Sequence, residues 1–507
     1  MKRILSILCC FIAITVNAQQ EKHRTLIFFF DGLRPDYITE TEMPNLFAFS
    51  KKGVYGKHHH SVFPTVTRVN SSSYATGSYP KTHGLMGNTV YFPEVDAVKG
   101  LNTGDAKNLQ QINTATNGNL LTAISIGEIL QQSGKKMMVF SSGSTGQALL
   151  QNHKVSGGAI INPDMTLPES FREELYRQTG PPPKSAKPNR ARHEWTTDAL
   201  IRFGLIDDGP EVCAIWLSDP DGAAHAYGMG SPAAVESIKI VDEQFGRVIN
   251  TLKQKNLENA FNIIVSTDHG FVTYLGAENL ATQLIKQGLK QDSASQDVVV
   301  TEGAIYVKDH DKNKIQAIVS YLQAQPSVGA IFTKEKHPGS NEGWVDGTLS
   351  FSSIHWDHKD RAADILVDRN WNNNKNEKGY AGSAYARGIA GHGGISPYEV
   401  HIALLASGPS FKKAYSSEIP TSNVDIVPTV LYLHNLSVPS SMDGRIMYEL
   451  LSSGNKRSVP KLRKEKTEVS ANYNGGIYKV ALERSILDNK YKYVDFATTS
   501  RTVSADK

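Results

Sequence analysis

Three apolar runs in this chain end the same way, in an acidic turn. Thr25–Phe30 runs into Asp31-Gly32, Val212–Leu217 into Ser218-Asp219-Pro220-Asp221, and Phe261–Val265 into Ser266-Thr267-Asp268-His269-Gly270. Each run is short and rich in β-branched or aromatic residues, the pattern of a buried strand. Lys136–Phe140 and His401–Ala406 add two more such runs. Amphipathic helical stretches lie between them at Leu120–Ser133, Ala233–Lys255 and Val424–His434. This alternation predicts an α/β fold, a mostly parallel central sheet flanked by helices. Ligands bind beyond the carboxyl ends of the strands in such sheets. Carboxylates and imidazoles are therefore expected to collect on one rim.

Six residues carry that expectation. Asp31 alone is an ordinary Asp-Gly turn after a strand. Asp221 and His225 stand four residues apart in DPDGAAHAYG, on one face if the segment is helical. A carboxylate and an imidazole so placed suit Zn²⁺. Asp219 competes as a carboxylate, with poorer spacing to His225. Asp268 and His269 are adjacent on a strand-end turn that Gly270 permits. His392, in GIAGHGGIS, has glycines on both sides, which allow close packing around a metal. Each has a bland reading as a turn or polar loop. Together they make two sets of metal ligands.

Between those sets falls Phe63 to Asn88, FPTVTRVNSSSYATGSYPKTHGLMGN. Pro64 fixes the backbone, and the composition after Thr67 is compatible with a helix until Gly77 and Pro80 end it. Thr67 is expected at or just before a helix N-terminus, where unpaired N–H groups and the helix dipole favour an anion. Taken alone, Thr67 reads first as an ordinary helix cap. Beside two metal-ligand sets it becomes a candidate covalent nucleophile, with Asn88 its phosphate-holding partner. Two divalent cations about 4 Å apart are a recurrent device for in-line phosphoryl transfer.

The ordered set Asp31-Gly32, Thr67 with Asn88, Asp221 with His225, Asp268-His269-Gly270 and Gly391-His392-Gly393 resembles the alkaline phosphatase superfamily. Within it the chain is similar to the nucleotide pyrophosphatase/phosphodiesterase branch, whose nucleophile is Thr. The resemblance spans roughly residues 24–450, including the closing SMDGRIMYELL. It implies an alkaline-phosphatase-like three-layer α/β sandwich with a capping insertion. It also implies two Zn²⁺ per chain, one held by Asp31, Thr67, Asp268 and His269, the other by Asp221, His225 and His392. Asn88 and the Thr67 backbone N–H would hold a nonbridging phosphoryl oxygen. The implied reaction is hydrolysis of a phosphate diester through a phosphothreonine-type intermediate.

The substrate is less constrained. Related monoesterases place a Lys/Arg pair after the next strand, where this chain has Ser141-Ser142-Gly143-Ser144-Thr145-Gly146. A diester carries one charge fewer, so a phosphodiesterase is favoured, although Arg34 or Arg68 could reach in from another loop. Trp216 is a candidate base-stacking aromatic or a core residue of its strand. Arg68 stands where some nucleotide-specific relatives carry Phe, which favours an anionic or polar substrate group. The expected substrate is a small-molecule diester of nucleotide or phospholipid type. A phosphomonoesterase and a catalytically idle phospho-ligand-binding protein are the alternatives.

Met1–Ala18 reads as a secretory signal: basic Lys2 and Arg3, apolar Ile4–Val16, small residues at the cleavage site. A run that short does not span a bilayer, which takes about 20 residues, and no later run is long and apolar enough to do so. The exported chain is expected to be secreted or periplasmic. Cys9 and Cys10 leave with the signal, in a poor lipoprotein context. Cys213 then remains alone, without an intramolecular disulfide partner. The formal charge of +4 falls to about +2, no sign of a nucleic-acid-binding surface. Residues 19–452 are read as the catalytic domain, with a cap insertion at roughly 271–390. Residues 453–507 form an extension of no assigned role, and no protein partner is evident. His58-His59-His60 reads as a solvated or supporting run, because the family pattern assigns it no ligand.

Overall fold

The computed structural model describes residues 23–456, 459–473 and 475–503. The expected signal segment, Met1–Ala18, lies outside them. Ten strands form the central sheet: β1 Arg24–Phe30, β2 Val54–His60, β3 Met137–Ser141, β4 Ala159–Asn162, β5 Met165–Leu167, β6 Val212–Leu217, β7 Phe261–Ser266, β8 His401–Ser407, β9 Tyr415–Ser417 and β10 Thr421–Ser422. Their spatial order is β9-β2-β8-β7-β1-β6-β3-β4-β5, with β10 also paired to β2. β1 lies between β6 and β7, parallel to both, with Phe30 opposite Leu217 and Phe29 opposite Ser266. That register brings the turns after β1, β6 and β7 to neighbouring points on one rim. β8 runs antiparallel to both β7 and β2. Its first residue, and the loop leading into it, therefore reach the same rim.

Side chains of β1 alternate between the two faces with the period of a strand. Leu26, Phe28 and Phe30 enter one core cluster, and Ile27 and Phe29 the other. Burying a large apolar side chain contributes about 1.5–3 kcal/mol, so this strand alone anchors both layers. On one face the helix Pro232–Gln254 sets Phe245 edge-on to Phe28, centroids 5.3 Å apart. On the other face the helix Thr67–Thr76 lays Tyr74 against Phe29 at 4.7 Å.

The strands follow the sequence reading closely, as does the helix Pro232–Gln254, but two helix starts do not. Residues 120–125 are not helical. The helix is Ile126–Gln132, because Ser125 and Glu128 close a capping box that begins it there. Val424 belongs to a 3-10 turn, Asn423–Asp425, which precedes the α-helix Ile426–Leu433.

Beyond β7 the chain builds a sheet from Val298–Thr301, Ala304–Val307, Val328–Thr333, Leu349–Ser350 and Ile365–Arg369. The runs TEGAIYV and RAADILV supply two adjacent antiparallel strands of it. A smaller sheet contains Val272–Tyr274, Trp371–Lys375, Ala381–Ala384 and Ala390–Gly391. The tail forms a three-stranded antiparallel sheet, Leu462–Tyr473, Gly476–Leu487 and Tyr491–Val503. It docks on both neighbours: Tyr478 donates to the Gly329 carbonyl at 2.8 Å, and Arg445 donates to Tyr493 Oη at 3.0 Å. Among the described residues no helix is long and apolar enough to cross a membrane.

Candidate active site

Thr67 is the first residue of its helix, and the cap position belongs to Val66, which makes no side-chain capping bond. The Thr67 hydroxyl is thus not spent as a cap. Its Oγ1 lies 3.3 Å from His269 Nε2. Gly77, at φ +60°, ends the helix in the left-handed conformation that glycine tolerates best.

Two ligand clusters flank this hydroxyl: Asp31, Asp268 and His269 in one, Asp221, His225 and His392 in the other. Asp31 follows β1, and its Oδ2 accepts from Trp216 Nε1 at 2.9 Å. Asp268 Oδ1 accepts from the Gly32 backbone N–H at 3.0 Å. His269 Nε2 lies 3.1 Å from Asp268 Oδ2 and 3.5 Å from Asp31 Oδ1. Gly270 is required by close approach: a Cβ there would sit 2.0 Å from the Tyr398 carbonyl oxygen. Asp221 and His225 share the short helix Asp221–Tyr227, and their i,i+4 spacing puts His225 Nε2 3.1 Å from Asp221 Oδ1. His392 Nε2 approaches the same oxygen at 3.3 Å. The rings of His269 and His392 stack at 3.4 Å, so the two clusters adjoin.

The donor chemistry fits divalent cations. Asp31 Oδ1, Asp221 Oδ1 and Asp268 Oδ2 are buried with no hydrogen-bond partner among the described residues. The three imidazoles each turn Nδ1 to a backbone carbonyl: His225 to Ala390, His269 to Gly270, His392 to Thr65. A ring nitrogen facing a carbonyl carries the proton, which leaves each Nε2 as a lone pair aimed at the orphaned oxygens. Burial first, then the charges of Asp268 and Asp221, push the Asp31 carboxyl well above its usual range. A cation at this spot reverses that pressure. Burial, reinforced by His269, lowers His392 to about 4, so its imidazole is neutral at pH 7 and able to ligate.

Asn88 Oδ1 accepts from the Arg68 backbone N–H at 3.0 Å, which turns its amide NH₂ the other way. Arg68 is partly buried at the same helix start, and its Nε has no hydrogen-bond partner among the described residues. Asp219 points away from the clusters, to His193 Nε2 at 2.9 Å and the Asn189 N–H at 2.8 Å. Trp216 is corrected as a stacking platform. It is completely buried, stacked on Phe29 and bonded to Asp31, so no ligand reaches its face. Arg34 is held by Asp36 and by the carbonyls of Phe271 and Ala381, so it does not supply a free cation. His59 and His60 are buried, not solvated, and only His58 is exposed.

Sequence reading assigned the insertion to a cap but named none of the residues it brings to the site. A cavity of about 520 Å³ opens beside the clusters, lined by Asn88, His225, His392, Tyr274, Glu302 and Arg369. Arg369 ends the strand Ile365–Arg369 and donates to the His392 carbonyl at 2.9 Å and to Tyr274 Oη at 2.7 Å. Its place at a strand end was a usable signal, but nothing in the sequence tied that strand to the rim.

Comparison with known proteins bears on the family and the fold. The family model described as type I phosphodiesterase / nucleotide pyrophosphatase matches residues 25–386. The human ectonucleotide pyrophosphatase/phosphodiesterase family member 5 is 24% identical over 460 residues, 89% of this chain and 82% of the relative. A Xenopus laevis bis(5'-adenosyl)-triphosphatase is 26% identical, covering 80% of this chain and 76% of that protein. The solved structure of wild-type alkaline phosphatase PafA superposes with a TM-score of 0.65 at 16% identity, over 84% of this chain and 98% of that one, a likeness of fold. The chain has an alkaline-phosphatase-like α/β fold and belongs to the type I phosphodiesterase / nucleotide pyrophosphatase family of hydrolases.

Proposed function

We propose that this protein is an exported, zinc-dependent phosphodiesterase/nucleotide pyrophosphatase whose nucleophile is Thr67. The observation that carries the reading is the convergence of three orphaned carboxylate oxygens and three imidazole Nε2 atoms in two adjoining clusters, one of them in contact with the Thr67 hydroxyl through His269. Asp31, Thr67, Asp268 and His269 would hold one Zn²⁺, and Asp221, His225 and His392 the other. When bound, the ions supply the positive charge that ionises a hydroxyl at neutral pH and offsets charge on a leaving oxygen.

The chain's own groups do the rest. The N-terminus of helix Thr67–Thr76 favours the anionic phosphoryl group next to the nucleophile. Thr67 Oγ1 bonds to phosphorus as the ester bond on the opposite side breaks, giving a phosphothreonine-type ester. Water then cleaves that ester and restores the hydroxyl. Asn88, its carbonyl tied to the Arg68 N–H, presents its NH₂ to a nonbridging oxygen. The cavity beside Tyr274 and Glu302 would take the organic group of the ester.

A diester is favoured because the Ser141–Gly146 loop offers no cation and Arg34 is engaged elsewhere. Nucleotide pyrophosphates are the first substrates to try, given what the relatives are called. Arg68, with its unpartnered Nε, supports phosphomonoester hydrolysis as the second reading. Initial rates of the zinc-loaded protein on bis-p-nitrophenyl phosphate, p-nitrophenyl thymidine monophosphate and p-nitrophenyl phosphate decide between them. The expected result is faster turnover of both diesters, with Thr67→Ala reduced at least about 1,000-fold and chelated protein silent until zinc is restored. A preference for the monoester would overturn the diester assignment.

A further inference from the structure

A third cluster of ligand-type side chains shares no residue with the two rim clusters, and nothing in the proposed chemistry uses it. His60 ends β2 and His401 begins β8, and the two are directly opposite in the antiparallel register. Opposed residues share a face of the sheet, with Cβ atoms about 4.5–5.5 Å apart. Their rings meet edge to face at 5.2 Å. Above them the last strand of the C-terminal sheet, Tyr491–Val503, lowers Asp495 onto the pair. Asp495 Oδ1 is 2.9 Å from His60 Nε2 and 3.8 Å from His401 Nε2. Around a tetrahedral zinc with ligand bonds near 2.0–2.1 Å, neighbouring donor atoms stand about 3.3 Å apart. The two distances bracket that value.

The hydrogen bonding of His60 makes the cluster more than a chance meeting. Its Nδ1 faces the Thr421 carbonyl at 2.9 Å, as the Nδ1 atoms of His225, His269 and His392 face carbonyls. The neutral ring therefore carries its proton on Nδ1 and points a bare Nε2 at a carboxylate oxygen. A cation placed between that nitrogen and the carboxylate oxygen 2.9 Å away would take both lone pairs. His60 and Asp495 are 2% and 3% exposed, and the stacked Tyr493 ring covers His60. Asp495 Oδ2 is occupied by Lys464 at 3.0 Å and Ser485 at 3.0 Å, which fixes the carboxylate with Oδ1 turned to the histidines. Ser485 also reaches Oδ1 at 3.0 Å, within the capacity of a carboxylate oxygen that binds an ion as well.

The geometry points to a third metal site, a structural zinc-type centre formed by His60 Nε2, His401 Nε2 and Asp495 Oδ1. Two imidazoles and one carboxylate select a borderline ion such as Zn²⁺ over the oxygen-seeking Ca²⁺ or Mg²⁺. The half-exposed His401 leaves the fourth position to water. The ion would tie two strands of the catalytic sheet to a tail more than ninety residues further on, clamping the C-terminal sheet in place.

The test separates this centre from the rim site. A variant carrying Asp31→Asn and Asp221→Asn removes a ligand from each rim cluster. After dialysis against buffered zinc, elemental analysis should find about one zinc per chain in it, lost on adding His401→Gln. Hydrogen exchange of residues 476–502 should accelerate at least about 10-fold on chelation in the rim variant, and not in the one that also lacks His401. No retained zinc, or zinc indifferent to His401→Gln, overturns the proposal and leaves a buried imidazolium–carboxylate pair. Should His401→Gln fail to fold, the zinc count and the chelation response of the rim variant decide alone. None of these readouts depends on phosphodiesterase activity.

Discussion

Trp216 Nε1 donates to Asp31 Oδ2 over 2.9 Å while its ring lies flat on Phe29, centroids 4.5 Å apart. The indole fixes one oxygen of a candidate ligand carboxylate and leaves the other, Oδ1, without a partner among the described residues. Groups that hold metal ligands from behind typically contribute 10–100-fold in affinity. Trp216→Phe keeps an aromatic ring on Phe29 and removes only the donor. The expected outcome is zinc binding weakened about 10–100-fold, with turnover recovering at saturating zinc. A zinc titration of activity checks this, and unaltered zinc dependence would show the bond to be incidental.

Asn88 is oriented through the carbonyl side of its amide, which accepts from the Arg68 N–H at 3.0 Å. Removing a single oxyanion donor costs about 100–1,000-fold in turnover where that donor acts in the transition state. Asn88→Ala should lose about 100-fold in kcat on a diester with KM little changed. A loss confined to KM would place Asn88 in substrate binding only.

Arg68 stands beside Asn88 with an unpartnered Nε. An exposed phosphoryl group would meet it as a charge-assisted hydrogen bond. Arg68→Ala should therefore weaken kcat/KM about 10-fold on substrates with a second phosphoryl group. It should leave bis-p-nitrophenyl phosphate within about 3-fold of wild type. Equal losses on both would mean that Arg68 supports the helix start, not the substrate.

Asp368 lines the cavity with Oδ2 buried and unpartnered among the described residues. Burial, then the charge of Glu399, pushes its carboxyl up to about 8. An unfolded aspartate titrates near 3.9. Between those values the folded protein holds a proton that the unfolded chain releases. This acid's contribution to stability is complete below about pH 4 and is lost as pH rises towards 8. Asp368→Asn should raise stability by about 1–3 kcal/mol at pH 8.5 and by less at pH 5.5, read from urea unfolding of zinc-loaded protein. An equal gain at both values would assign the effect to packing.

Strands and the candidate ligands at their ends were legible in the sequence because both follow local rules. β1, β6 and β7 are apolar runs whose boundaries follow from composition, and each ends in the Asp or Asp-His turn that the sheet carries to its rim. Asp221 and His225 needed only helical spacing. Trp216 was ambiguous in one dimension because an aromatic near a site and an aromatic in a core share the same local sequence; its neighbours Phe29 and Asp31 come from another strand. The helix predicted from Leu120 failed at its start, where the Ser125–Glu128 capping box outweighs apolar periodicity.

By itself the sequence determined the α/β alternation and the acidic and imidazole turns that end its strands, since each depends on residues close along the chain. Only the tertiary structure decided which oxygens remain unpaired, that Arg369 braces the His392 carbonyl, and that His60 meets His401 and Asp495. The physical reason is that these relations are set by strand register and by sheets packing across hundreds of residues. A side chain's partner there depends on where other segments come to rest, and local pattern carries no record of that.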